Sequence, residues 1–210
     1  MRSIISLLLF SCFVSQASAK PPAPCTEEIG TVIPGQGTFV AATATRNFYL
    51  KPGQCLTSPN RKWTAVLQAT DGNFVLYAIE SDIVKSANWS TRTAGNPGAG
   101  LLVQQDGHFV VYQNGGIVIS AEGVNGDPQK AIYQSNPSVK PYANYFLDMQ
   151  DDGNLVLYIG SDPKNISGYT FSAWNQMNRS SGAPKQCPKW TCWNDPTVGQ
   201  QCAFLPSRCP

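Results

Sequence analysis

The stretch QDDGNLVLY, residues 150–158, alternates two kinds of side chain. Gln150, Asp152, Asn154, Val156 and Tyr158 share one parity; Asp151, Gly153, Leu155 and Leu157 share the other. Successive side chains of a strand point to opposite faces. One face would therefore carry amide, carboxylate, amide, valine and phenol, and the other mostly leucine. Run straight, the segment would spread Gln150 and Tyr158 over roughly 26 Å, too far for one small ligand. An Asp-Gly pair between alternating apolar residues is a strong hairpin signal. A turn at Asp152-Gly153 folds Gln150 back beside Asn154, with Val156 and Tyr158 continuing along one strand face. The pattern then describes a pocket.

Two related stretches precede it, ATDGNFVLY at 69–77 and QQDGHFVVY at 104–112. Asp71, Asp106 and Asp152 align, as do Val75, Val110 and Val156, and Tyr77, Tyr112 and Tyr158. An aromatic landmark follows each: Trp89 in NWSTRT, Tyr133 in IYQSNP and Trp174 in AWNQMN. The second unit is stretched by QNGGIVISAEGVNGDPQK, which reads as an added hairpin or loop. Val, Ile, Tyr, Phe and Thr are dense and alternate with polar residues, while Gly, Pro, Asn and Asp punctuate at short intervals. No amphipathic helix of three turns stands out after the N-terminal segment. The chain reads as all-β, built from three repeated units.

That N-terminal segment has Arg2, an apolar run from Ile4 to Phe13, and Ala17-Ser18-Ala19 before Lys20, the layout of a secretory signal peptide. The run is shorter than the roughly 20 residues that span a bilayer. Residues 1–19 are therefore expected to be removed and the protein to be secreted and extracellular, with no membrane span. The whole chain holds 15 basic and 13 acidic residues; losing Arg2 leaves it nearly neutral. No Lys/Arg cluster forms the stripe that a phosphate backbone requires, which argues against nucleic acid. Of seven cysteines, Cys12 lies in the signal. Cys25, Cys55, Cys187, Cys192, Cys202 and Cys209 remain, an even set in an oxidising compartment, and disulfides are the natural reading. The competing reading, zinc, has against it that the one histidine, His108, is far off and the spacings fit no finger. Asn88, Asn165 and Asn178 each begin a sequon and are candidate N-glycosylation sites.

In the pocket, an ionised Asp152 only accepts hydrogen bonds, Gln150 and Asn154 donate and accept, and the Tyr158 hydroxyl does either. Val156 adds a small apolar contact. This mixture suits a sugar, whose hydroxyls donate and accept and whose ring offers a C–H patch. A carboxylate at the centre suits phosphate badly.

Q-x-D-x-N-x-V-x-Y, repeated with an aromatic after each copy, resembles the motif of the bulb-type (monocot, snowdrop-like) mannose-binding lectins. LKPGQCLTSPNRKW, residues 50–63, is similar to that family's strand-turn-strand lead-in. The resemblance covers about residues 34–183. It implies a β-prism of three four-stranded antiparallel sheets with pseudo-threefold symmetry, binding mannose-type glycans or glycoproteins with no metal and no other cofactor. By the same resemblance Asp152 and Asn154 would bind the 2-hydroxyl, Gln150 the 3-hydroxyl and Tyr158 the 4-hydroxyl, with Val156 on the ring. Trp89, Tyr133 and Trp174 would be core near the pseudo-axis. The organisation expected is signal peptide 1–19, extended segment 20–33, lectin domain 34–183 and cysteine-rich tail 184–210.

The other two motifs depart from the pattern. The first keeps Asp71, Asn73, Val75 and Tyr77, but Ala69 stands in the glutamine position. Gln68 is one residue further off, an odd offset that points a strand side chain to the opposite face unless a bulge intervenes. The second keeps Gln104, Asp106, Val110 and Tyr112, but His108 replaces the asparagine. Both are expected to be degenerate, leaving one working site per chain, with avidity depending on association between chains, a possible homo-oligomer. Family members often place a cysteine in the motif where this chain has Gly72, Gly107 and Gly153, so the bridges must differ. Six cysteines allow 15 pairings; Cys25–Cys55 with the tail paired internally is the simplest.

Catalysis finds little support. His108 is the sole base for a serine-type nucleophile, and Asp151 and Asp152 are adjacent rather than separated as a glycosidase requires. Glu27, Glu28, Glu80 and Glu122 form no site pattern, and the glycine of DDGN falls too early for a calcium loop. The rival to a lectin is a lectin-fold protein that has lost sugar binding and serves protein recognition, storage or structure.

Overall fold

The computed structural model describes residues 24–135, 142–181, 186–195 and 199–208, with side chains through Met177. The expected signal segment, Cys209 and the side chains of Asn178, Cys187, Cys192 and Cys202 lie outside the described residues. Five short strands come first: β1 (Glu27–Glu28), β2 (Thr31–Ile33), β3 (Gly37–Ala42), β4 (Phe48–Leu50) and β5 (Gln54–Thr57). The first unit continues with β6 (Trp63–Leu67), β7 (Phe74–Glu80) and β8 (Ile83–Ser90). The second has β9 (Gly100–Val103), β10 (Phe109–Tyr112), the inserted pair β11 (Ile117–Ser120) and β12 (Gly123–Gly126), then β13 (Ala131–Gln134). The third has β14 (Tyr145–Gln150), β15 (Leu155–Gly160) and β16 (Ile166–Ser172), followed by helix α1 (Ala173–Ser181). Two tail strands, β17 (Gln186–Asp195) and β18 (Gly199–Arg208), complete the order.

The strands form three main sheets, ordered β1-β5-β6-β7-β8, β13-β10-β9-β4 and β16-β15-β14-β3-β2. Each contains the four antiparallel strands that the β-prism requires. Residues 37–57 supply one strand to each sheet: β3 pairs with β14, β4 with β9 and β5 with β6. The lead read as extended supplies two further edge strands, β1 parallel to β5 and β2 antiparallel to β3. Sheet edges present unpaired N–H and C=O groups, and these short strands satisfy them.

Alternation sorts each strand into two faces. Leu67, Phe74 and Leu76 of the first sheet, Leu101, Phe109 and Val111 of the second, and Leu147, Leu155 and Leu157 of the third meet in one buried cluster. Each fully buried leucine contributes about 2 kcal/mol from leaving water. The opposite parity faces outward, and each sheet has a small apolar cluster there: Val66 with Tyr77, Leu102 with Val110 and Tyr112, and Phe146 with Val156 and Tyr158.

Trp89 stands opposite Leu76, Tyr133 opposite Val111 and Phe171 opposite Leu157. These three aromatics meet at the centre, Trp89 lying 5.3 Å from Phe171 and 6.1 Å from Tyr133 between ring centroids. Trp89 and Tyr133 are thus core, as expected. The third member is Phe171 rather than Trp174, because β16 ends at Ser172 and Trp174 lies in the first turn of α1.

The Cys25–Cys55 disulfide is present, with Cα atoms 5.7 Å apart, and ties the N-terminal lead to β5. In the tail, β17 and β18 pair as an antiparallel hairpin whose register sets Cys192 opposite Cys202. No described helix is long and apolar enough to cross a membrane.

Candidate functional site

The third motif turns where Asp-Gly predicts. The Gln150 N–H donates to the Asn154 carbonyl at 3.0 Å, and the Gly153 N–H donates to the Gln150 carbonyl at 3.1 Å. Asp152 Oδ1 accepts the Asn154 N–H at 2.9 Å, closing an Asx turn. Gly153 has φ +89°, and a Cβ placed there would run into the Trp63 ring, so a side chain fits neither the backbone nor the space. Asp151, on the other parity, fastens the turn to the first sheet. Its carboxylate accepts the Asn60 N–H at 2.8 Å, and its carbonyl accepts Asn60 Nδ2 at 2.7 Å.

Above this anchored turn the polar groups converge. Gln150 Nε2 donates to the Tyr158 hydroxyl at 3.0 Å. Asn154 Oδ1 accepts from Ser172 Oγ at 3.1 Å and from the Trp174 N–H at 3.3 Å, so the amide nitrogen is the group left to donate. The Tyr158 ring stacks on Phe146, with centroids 5.2 Å apart. Burial first, then the Asp148 carboxyl, pushes the Tyr158 hydroxyl well above its ordinary range, against the opposing bond from Gln150. It therefore stays protonated at any physiological pH. Gln150, Asp152, Asn154, Val156 and Tyr158 line one recess together with Tyr169, Ser172 and Trp174. All five residues singled out in the sequence are thus together; the two aromatics are additions.

Asp148 is a further addition. It stands opposite Val156, the register place that Val66 holds opposite Val75 and Leu102 opposite Val110. It is 2% exposed, and its Oδ1 has no hydrogen-bond partner among the described residues. Burial, then the neighbouring Asp152, pushes its carboxyl up to about 7, against a bond with Gln150. A carboxyl where the other two sheets have aliphatic residues was visible in the sequence, but only strand pairing aligns the three positions.

The first motif corrects an expectation. Gln68 Nε2 donates to the Tyr77 hydroxyl at 3.0 Å, as Gln150 does to Tyr158. The Gln68 N–H donates to the Asn73 carbonyl at 2.9 Å, so Gln68 ends its strand in the place of Gln150. The extra residue lies within the turn, where Gly72 N–H reaches back to the Gln68 carbonyl at 2.9 Å. Strand parity does not run through a turn, so the odd offset to Asp71 does not send Gln68 to the other face. Asp71 Oδ1 accepts the Asn73 N–H at 3.0 Å, and Asn73 Oδ1 accepts from Thr91 Oγ1 at 3.2 Å and the Thr93 N–H at 3.1 Å. Asn73, Val75 and Tyr77 line an open groove that also includes Asn88 and Arg92.

The second motif differs from the other two at His108 and in what covers it. Gln104 Nε2 still donates to the Tyr112 hydroxyl at 3.2 Å. His108 is buried, with Nδ1 3.9 Å from Asp106 Oδ1, and that oxygen has no hydrogen-bond partner among the described residues. The β11–β12 hairpin lies across the outer face: Ile117 and Val124 pack on the Val110–Tyr112 cluster, and Gly126 abuts the Tyr112 ring. Asn47 Nδ2 pins the hairpin by donating to the Val124 carbonyl at 2.9 Å. Of the sequons, Asn88 and Asn165 are exposed.

No family model and no curated protein matches the chain. Solved structures do. A monomeric monocot mannose-binding lectin from Gastrodia elata is 24% identical over 64% of this chain and 94% of its own, with a TM-score of 0.44. A lectin from Allium sativum is 29% identical over 59% of this chain and 94% of its own, also at 0.44. A Marasmius oreades lectin is 21% identical over 68% of this chain and 94% of its own, at 0.43. In architecture the chain is a three-sheet β-prism with a motif turn on each sheet, the fold of the bulb-type lectins that it resembles.

Proposed function

We propose that this protein is a secreted lectin that binds mannose-type glycans without a metal, through the third motif and also the first. The observation that carries the reading is the recess of Gln150, Asp152, Asn154, Val156 and Tyr158, with Gln150 bonded to Tyr158 and the Asn154 side chain held through its Oδ1. Such a surface offers an anionic acceptor, an amide donor, an amphoteric hydroxyl and an apolar floor within one sugar's reach. The first motif presents the same groups from Gln68, Asp71, Asn73, Val75 and Tyr77.

Retention of the full chain on immobilised mannan, with and without EDTA, tests this. Binding that survives chelation is expected, whereas loss with EDTA contradicts the metal-free assignment. Asp152→Ala should weaken the third site by about 1–3 kcal/mol, because the partner hydroxyls lose their acceptor. Absence of any retention would favour a lectin fold turned to protein recognition or storage.

A further inference from the structure

The sequon Asn88-Trp89-Ser90 runs beside the first motif. Leu76 pairs with Trp89 and Tyr77 with Ala87, so Asn88 is the extra residue of a bulge next to the motif tyrosine. Neighbouring strands lie about 5 Å apart, so the Asn88 backbone is one strand spacing from Leu76 and Tyr77. Asn88 lines the same groove of about 610 Å³ as Asn73, Val75 and Tyr77. It is exposed. Its Oδ1 accepts from Ser86 Oγ at 2.9 Å, and its Nδ2 makes no hydrogen bond among the described residues. Asn165 Nδ2, by contrast, is engaged by Asp162 Oδ2 at 2.9 Å. The same register shift puts Ile132 at the bulge of the second sheet and Thr170 at that of the third. Only the first sheet has a sequon amide at this place.

We propose that Asn88 is an N-glycosylation site whose glycan lies over the first groove and closes it to other sugars, so that modification sets the valency of the chain. The closure rests on the sugar-binding reading of the first motif; the modification rests only on entry into the secretory pathway. In the transfer, Asn88 Nδ2 bonds to the anomeric carbon of the terminal N-acetylglucosamine of a polyprenyl-diphosphate-linked oligosaccharide. The bond from that carbon to the diphosphate oxygen breaks, the lipid diphosphate leaves with the electron pair, and Nδ2 gives up one proton. Only the nitrogen changes, so the Ser86 bond to Oδ1 can persist and hold the linkage at the groove. A glycan is bulky and hydrophilic, and the groove is the size of a small-molecule site, roughly 300–1,000 Å³. Attached sugars compete with free sugar for it at high effective concentration. Two sites per chain is then the count for unmodified Asn88, and the third site alone stays open once Asn88 is modified.

The full chain secreted from a glycosylating eukaryotic host, and the same chain made in a host without the lipid-linked donor, test this. Peptide mass spectrometry after enzymatic glycan release reads Asn88 directly, and calorimetry with mannose counts the open sites. The Asn88-modified fraction should bind one mannose, and the unmodified and enzymatically deglycosylated chains two. Asn88→Gln from the glycosylating host should bind two while keeping any glycan on Asn165, which isolates the effect to Asn88. Ser90→Ala, which destroys the sequon and leaves Asn88 in place, should also bind two. Absence of glycan from Asn88 in the secreted chain overturns the proposal. Two mannoses per modified chain overturn the closure, as does one per chain in all the unmodified forms. Binding of no mannose by any form overturns the lectin reading and the closure with it, while the mass measurement still decides the modification.

Discussion

Gln68 and Tyr77 are joined by the same 3.0 Å amide-to-hydroxyl bond as Gln150 and Tyr158. Two of the three motifs therefore present a complete set of polar groups, where the residue pattern suggested one. The expected stoichiometry is two sugars per chain. Asp71→Ala and Asp152→Ala should each reduce it to one, and the double variant should bind none. Calorimetric stoichiometry with mannose measures this; one sugar per wild-type chain, lost with Asp152→Ala alone, would restore the one-site expectation.

Restoring asparagine in the second motif should not create a third site. His108→Asn supplies the missing amide, but Ile117 and Val124 still pack on Val110 and Tyr112. Stoichiometry should stay at two. A third sugar in His108→Asn would show that the histidine, and not the hairpin, blocks the site.

Asp148 should make stability depend on pH. Its carboxyl ordinarily titrates near 3.8 and is pushed up to about 7 in the folded chain. Between those values the folded state holds a proton that the unfolded state has released, so stability falls as pH rises through this window and then levels off. Asp148→Asn keeps the shape and removes the titration. Its Tm should exceed that of the wild type at pH 8, with the difference shrinking toward pH 4. Parallel Tm curves across this range would count against the buried-carboxyl account.

Gly153 and Gly35 separate two costs of adding a side chain. Both have positive φ, +89° and +72°, but Gly153 abuts the Trp63 ring whereas nothing lies within 4 Å of the place of a Gly35 Cβ. Gly35→Ala should cost about 1 kcal/mol for the backbone alone. Gly153→Ala should cost more, about 2–4 kcal/mol, because the turn or Trp63 must also move. Denaturant melts of the two variants measure the difference.

The residue pattern was enough for the all-β reading, the three Asp-Gly turns and the grouping of Gln150, Asp152, Asn154, Val156 and Tyr158, because strand alternation and turn chemistry act over a few neighbouring residues. The place of Gln68 was not legible that way, since alternation holds only within a strand and the extra residue lies in a turn. Phe171 replaces Trp174 in the core because register against Leu157, and not distance along the chain, decides which side chain faces inward. Asp148 and Tyr169 became part of the site's surroundings only once β14, β15 and β16 were paired, which sets residues far apart in sequence directly opposite one another. Nothing local assigns β3, β4 and β5 to three different sheets either; each joins the edge that its length of chain can reach and whose backbone groups it can satisfy. Local periodicity thus determined what each segment is, and long-range pairing decided which segments meet.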